Sequence, residues 1–333
     1  MITEKKARER AVPLPFQFVR EELRQLDELL LRESQSAVGM VSEISRHILS
    51  AGGKRLRPAL LLTSARAVGY EGAWGLKLAA CMELLHTATL VHDDVVDHSD
   101  WRRGRVAAHE RWGYSASVLS GDVMFARAMR ILVDYGDLAV LDAVTSTIIQ
   151  VCEGEVQELA VDGDLDLAAE TYLQIIDAKT ASLISVCCRI GGMLGGAAPE
   201  VIAALGDFGT RLGRAFQIMD DVMDLTADER RWGKPLAQDL QEGRATLPLI
   251  YSLHRADLAG RERLLRLLRQ PRMGAEEIGE AIEMLDSYGG LAAARADASE
   301  EAGAAAARLS ALAPSPARDA LRALAHYAVS RDC

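Results

Sequence analysis

The stretch EGAWGLKLAACMELLHTATLVHDDVVD, Glu71 to Asp97, decides how this chain folds. Leu76, Ala79, Ala80, Met82, Leu84, Leu85, Ala88 and Val91 recur at helical intervals, so a long helix is expected here. It ends in Asp93-Asp94-Val95-Val96-Asp97. Residues i and i+4 of a helix share one face, so Asp93 and Asp97 reach toward one point, with Asp94 about 100° round. Like charges at that spacing destabilise an isolated helix. A cation between them removes the penalty. Carboxylate oxygens suit Mg2+, which binds through one or two carboxylates plus substrate phosphates. A solvated acidic helix end would carry the same letters.

The pattern returns as Asp220-Asp221-Val222-Met223-Asp224, at the end of the apolar run Ala215-Phe216-Gln217-Ile218-Met219. Two such copies are hard to read as surface charge. They suggest two carboxylate clusters facing one metal-bound anion.

The rest of the chain agrees with an all-helical fold. Helices are expected over Phe16–Glu33, Val38–Leu49, Ala116–Val133, Leu138–Leu159, Ala168–Leu194, Pro199–Leu225, Thr246–His254, Gly260–Leu268, Ala275–Ser287, Leu291–Leu312 and Ala317–Val329. Another opens at Pro58, and Gly52-Gly53 closes the one before it. Gly and Pro read as punctuation between helices, and no hairpin is expected. Residues 1–14 read as a loose arm and 15–333 as a single helical domain. Aromatics make up 5% of the 333 residues, a composition that leans away from strands.

With 38 basic and 48 acidic residues the net charge is -10, which argues against broad nucleic-acid binding. No run reaches the ~18 apolar residues of a spanning helix. The charged start, Met1 to Arg10, has no secretory h-region. Cys81, Cys152, Cys187, Cys188 and Cys333 lack metal-type spacing and read as reduced thiols of a cytoplasmic protein. Any anionic partner must then be held by local cations or by metal. Lys54, Arg55 and Arg57 lie in a Gly-initiated turn before a helix, a place that favours an anion. Arg102-Arg103-Gly104 follows the first Asp motif, and arginine forks grip phosphate. Lys179, Lys234 and Arg244 are further candidates. Each cation alone would pass for a surface charge.

The segments GGKRLRP, LHTATLVHDDVVD, RRG, GDVMFARA, EGEVQEL, KTA, FQIMDDVMD and GKPLAQDLQEGRATLPLI together resemble the trans-polyprenyl diphosphate synthases, most closely the long-chain, octaprenyl-type members. The resemblance runs from about Gly52 to Ile250. It implies an all-α isoprenoid-synthase-type bundle around a deep central cavity, in a homodimer. It implies head-to-tail condensation of an allylic diphosphate with isopentenyl diphosphate, and a peripheral membrane contact for product release. By the same resemblance Asp93, Asp94, Asp97, Asp220 and Asp224 hold Mg2+, with Asp221 in support. Arg102, Lys179, Lys234 and Arg244 grip the allylic diphosphate. Lys54, Arg57, His86 and Arg103 bind isopentenyl diphosphate, and Thr180 and Gln217 line the reacting centre. The chain departs from the family's usual Lys at Arg244, and the segment after Asp224 is unusually charged.

Short-chain members place aromatics one turn before the first Asp motif. Here those positions are Ala88 and Thr89, so the first turn is open, with Leu85 a turn deeper and Met129 on the facing helix. The product expected by resemblance is therefore long, seven to nine isoprene units, the alternative being a farnesyl or geranylgeranyl synthase. A helical HD-type phosphohydrolase would use His92-Asp93 and His47, and leaves the second motif unexplained. A terpene cyclase would carry Ser or Thr where Asp224 stands. A non-catalytic partner subunit should have lost the Asp motifs. His92 reads as a neighbour of the site. His47, His98, His109, His254 and His326 read as structural or exposed.

Overall fold

The computed structural model describes residues 14–102, 104–226, 237–270 and 272–330. The expected roles of Arg103 and Lys234, most of the loose arm, Cys333 and the charged segment from residue 227 lie outside the described residues.

A short 3-10 turn, Leu14–Val19, leads into α1 (Arg20–Glu33), followed by α2 (Gly39–Leu49), α3 (Leu56–Ala67) and α4 (Trp74–Val96). α3 is buried from Leu56 to Ala65 apart from Arg57, and α4 is buried along most of its length. Both are apolar nearly all round, which is what a central helix requires. α5 (Ala108–Trp112), α6 (Tyr114–Tyr135) and α7 (Leu138–Ala160) follow. The side chain of Asp137 caps α7 by accepting from the N–H groups of Ala139 and Val140.

Next come α8 (Ala169–Ile176), a π turn (Asp177–Ala181), α9 (Ser182–Leu194) and the 28-residue α10 (Pro199–Thr226). The rest comprises α11 (Gln238–Gln241), α12 (Leu247–Arg255), α13 (Leu258–Leu268), α14 (Ala275–Ser287), α15 (Gly290–Arg308) and α16 (Pro316–Ser330). Packing is closest between α10 and α15, α4 and α6, α9 and α10, and α3 and α9. One apolar cluster surrounds α3, α4 and α9, and a second joins the end of α10 to α12 through α15. No helix among the described residues is long and apolar enough to cross a membrane.

The structure corrects the sequence reading in four places. The helix expected over Ala168–Leu194 is interrupted by the π turn. A two-residue antiparallel ribbon pairs Trp101 with Val106 and Arg102 with Arg105, and Gly104 has φ +72°. α5 and α11 are short helices without a long apolar period. Glycine also stands inside helices. A Cβ on Gly213 of α10 would lie 2.5 Å from Ala181 Cα, one on Gly209 2.6 Å from Ser185 Cα, and one on Gly191 of α9 2.6 Å from Leu61 O. Backbone meets backbone at these crossings, so glycine is set by packing.

Helix propensity alone favours alanine over glycine by about 1 kcal/mol, whereas overpacking a rigid contact costs about 1–3 kcal/mol. At 2.5 Å from a backbone atom the second effect dominates. Gly213→Ala is therefore expected to lower the thermal midpoint, and a rise in that midpoint on calorimetry would contradict the close crossing of the π turn and α10.

Candidate active site

The two Asp motifs end core helices, α4 and α10, and Lys179 is near both: it acts on the Asp93 carboxyl and lines a cavity with Asp221. The π turn carries this lysine. Arg214 of α10 anchors the turn by a bidentate grip on Asp177 (2.6 Å on each oxygen). α7 approaches closely because residue 154 is glycine: a Cβ there would lie 2.7 Å from Ala178 Cβ. That approach brings Glu155 to 2.8 Å from Lys179 Nζ and pairs Glu158 with the same ammonium. The two carboxylates raise the Lys179 pKa against burial, which on its own lowers it.

Asp93 is half-buried at the C-terminal end of α4, and Asp97 caps that helix. Burial, Glu155 and Asp97 together push the Asp93 carboxyl up to about 7, against the opposing pull of Lys179 and Arg102. Asp94 is paired with Arg102, whose Nε donates to its Oδ1 at 2.5 Å; burial raises the Asp94 pKa while that arginine lowers it. The pair fastens the ribbon to the end of α4.

On α10, Asp221 is buried and fully engaged. Tyr172 donates its phenolic O–H to Oδ2 (2.5 Å), and Gln217 Nε2 donates to Oδ1 (2.9 Å). Thr180 Oγ1 in turn donates to Gln217 Oε1 (3.0 Å). Burial and the neighbouring Asp239 and Asp220 hold the Asp221 carboxyl well above the ordinary range. Asp224 Oδ2 accepts the N–H of Asp239 (3.1 Å). Tyr172, Lys179, Thr180, Gln217, Asp221, Asp239 and Arg244 line a cavity of about 190 Å3. Arg244 is paired there with Glu242 and lies 3.9 Å from Asp239.

The GGKRLRP turn splits its cations. Arg55, with φ +50°, is buried and bonds Glu83 of α4 (2.5 Å), Asp27 of α1 (3.0 Å) and the carbonyl of Leu49 (3.3 Å). Lys54 and Arg57 stand on either side of it. Lys54 Nζ lies 5.5 Å from the centroid of the Phe216 ring, next to Gln217. Arg57 Nη1 and His86 Nε2 are 3.0 Å apart. His86 thereby joins this cationic group two turns before Asp93.

Ala88 and Leu85 are buried in the core, Thr89 is half-buried with its hydroxyl on the His86 carbonyl, and Met129 packs against the same cluster. His92 Nε2 faces the Val118 carbonyl (3.1 Å), and His47 Nε2 faces the Val106 carbonyl (2.9 Å). The two rings are spent in separate places, which removes the basis for an HD-type centre. Glu155, Glu158, Tyr172 and Asp239 are site residues that sequence reasoning did not single out. For the glutamates a signal existed: an i, i+3 acidic pair beside Gly154.

A family model for polyprenyl synthetase matches residues 38–285. The octaprenyl diphosphate synthase of Escherichia coli is 40% identical over 303 residues, covering 91% of this chain and 94% of that protein. A decaprenyl diphosphate synthase from Rhodobacter capsulatus superposes with a TM-score of 0.89 at 36% identity, covering 95% of this chain and 97% of its own. A polyprenyl synthase from Caulobacter crescentus, solved with calcium and isoprenyl diphosphate, gives 0.90 at 36% identity and the same coverage. With its helical core, its paired acidic motifs and this extent of similarity, the chain belongs to the polyprenyl synthetase family.

Proposed function

We propose that this chain condenses an allylic diphosphate with successive isopentenyl diphosphates to give a long-chain all-trans polyprenyl diphosphate. The observation that carries the reading is the placement of Lys179, near both Asp93 of the first motif and the second-motif cavity. The donor set fits a hard divalent cation. Asp93 is half-buried at the end of α4, and burial first, then Glu155 and Asp97, push its carboxyl up to about 7 although Lys179 and Arg102 oppose the shift. Mg2+ would be held by Asp93, Asp94, Asp97, Asp220 and Asp224, and it would supply charge to a departing diphosphate. The calcium in the Caulobacter crescentus relative is in keeping with this choice.

The chain's own residues divide the remaining work. Lys179 and Arg244, with Arg102 beside the first motif and Lys234, grip the allylic diphosphate. As the C1–O bond breaks, the electron pair leaves with the diphosphate, and these cations stabilise the charge it gains. Lys54, Arg57, His86 and Arg103 hold isopentenyl diphosphate beside Phe216. Its double bond attacks C1, a new carbon–carbon bond forms, and the adjacent carbon loses a proton, which the released diphosphate can accept. Gln217 Oε1 and Thr180 present oxygen toward the cation, and the packed helices keep water away.

The decisive experiment is incubation with labelled isopentenyl diphosphate, Mg2+ and each allylic starter, followed by chromatography. Long-chain product that disappears with EDTA and returns with Mg2+ is expected; no condensation with any starter would reject the reading. Product length is read from Ala88. Ala88→Phe should shorten the product to three or four isoprene units while leaving the first condensation intact, since a helical turn of about 5.4 Å is close to one isoprene unit. An unchanged product ladder would remove Ala88 from the chain-length path.

The reading includes a homodimer. Ile149, Cys152, Val156 and Leu159 stand exposed at three- and four-residue steps along one face of α7, a stripe suited to a second copy. It also places the enzyme in the cytoplasm, its four described cysteines being unpaired, with a peripheral membrane contact for release of an apolar product.

A further inference from the structure

Tyr172 has been given no part in the reaction, yet it begins a chain of three hydrogen bonds that ends at the reacting centre. Its side chain is 5% exposed. The phenol donates to Asp221 Oδ2 (2.5 Å), Gln217 Nε2 donates to Asp221 Oδ1 (2.9 Å), and Thr180 Oγ1 donates to Gln217 Oε1 (3.0 Å). An amide has a donor end and an acceptor end, and its orientation is fixed by what each end meets. Asp221 offers Gln217 an acceptor, so the Nε2 end turns toward α10 and Oε1 turns toward Thr180. Asp221 keeps that position because its other oxygen is held from the opposite side. Both Asp221 oxygens are thus engaged inside the protein. Without the phenolic O–H, Asp221 Oδ2 would be a buried acceptor lacking this partner, and the carboxyl would be free to rotate.

We propose that Tyr172 is a positioning residue for prenyl transfer, acting through Asp221 to hold the Gln217 amide oxygen toward Thr180 and the cavity. The proposal rests on the prenyl-transfer reading given above.

Tyr172→Phe removes one oxygen and leaves the ring in its pocket. In the full chain with Mg2+, farnesyl diphosphate and labelled isopentenyl diphosphate, kcat should fall by about tenfold or more, as expected when a buried acceptor loses its hydrogen-bond partner. The KM for each substrate should stay within about twofold, because the diphosphate-gripping residues are untouched. The discriminating measurement is a double-mutant cycle. Added to Gln217→Ala, Tyr172→Phe should cost less than about twofold further, since the group it positions is gone. A merely structural tyrosine would instead multiply its loss onto that of Gln217→Ala, and this result overturns the proposal, as does a Tyr172→Phe enzyme retaining more than half of wild-type kcat. Should Tyr172→Phe fail to fold, Asp221→Asn takes its place. It presents Gln217 with an amide, and it should show the same loss of kcat at constant KM and the same absence of further loss beside Gln217→Ala; multiplied losses overturn the proposal here too. A wild type that condenses nothing rejects the prenyl-transfer reading itself, whereas an active wild type beside an unaffected Tyr172→Phe rejects only the role of Tyr172.

Discussion

An Asp93→Asn enzyme should lose at least two to three orders of magnitude in turnover and yet, stripped of divalent cation at pH 8, be harder to unfold than the wild type. The first half follows from removing an anionic ligand where charge on the departing diphosphate must be neutralised. The second follows from burial of the Asp93 carboxyl, helped by Glu155 and Asp97 beside it. In the folded chain the Asp93 carboxyl titrates at about 7, against an ordinary 3.8. Between those values the folded form holds a proton that the unfolded form has released, so stability falls as pH rises through this window. Above about pH 7 the penalty is complete, on the order of a few kcal/mol. Below about pH 4 both forms are protonated and it vanishes. Asparagine carries no such penalty. Urea melts of the metal-free proteins should therefore diverge between pH 4 and pH 7 in favour of the variant. Adding Mg2+ should stabilise the wild type more than the variant. A variant less stable than the metal-free wild type at pH 8, or one retaining a tenth of its activity, would show that Asp93 is not part of a cation-seeking cluster.

The second large effect is on stability, from Glu83→Ala. Glu83 is 3% exposed and Arg55 8%. Removing the carboxylate leaves Arg55 with an exposed partner, Asp27, and one carbonyl. Breaking a buried pair from one side costs about 3–5 kcal/mol, or roughly 10 °C in thermal midpoint for a chain of this size. The loss has a functional echo. Arg55 pegs the turn that carries Lys54 and Arg57, so the surviving folded enzyme should show a raised KM for isopentenyl diphosphate. If calorimetry finds the midpoint within about 2 °C of wild type, the pair is not what holds the start of α3.

These two effects mark the limits of what the letters disclose. Asp93 and Asp97 were legible because a four-residue step has one geometric meaning on a helix. The long helices were legible for the same reason. Lys54, Arg55 and Arg57 look alike in sequence, and only the placement of Glu83 behind Arg55 separates a buried peg from two proposed substrate-binding cations. Asp94 and Arg102 sit in adjacent motifs, and nothing in their spacing says that they bond each other. Glu155 and Lys179 lie on different elements, joined through the small footprint of Gly154. Helix glycines were misread because spacing along one helix says nothing about the helix that crosses it. Tyr172 carried no signal, being one aromatic on an apolar helix.

The π turn at Asp177–Ala181 has a consequence for how this gene can change. In a regular α-helix each residue advances the chain by about 100° around the axis. A π turn closes its hydrogen bonds one residue later, so it admits an odd residue without the usual rotation. Tyr172 and Ile176 upstream, and the core side of α9 downstream, face their partners in phase only because that residue is present. Losing one codon between 177 and 181 would turn one half of the helix against the other by roughly a quarter of a revolution. Either Tyr172 would leave Asp221, or α9 would present its polar side to α3. Ancestors and descendants of this sequence are thus expected to vary in length at connections such as residues 195–198, and to keep the count from Tyr172 to Thr180 fixed to the residue.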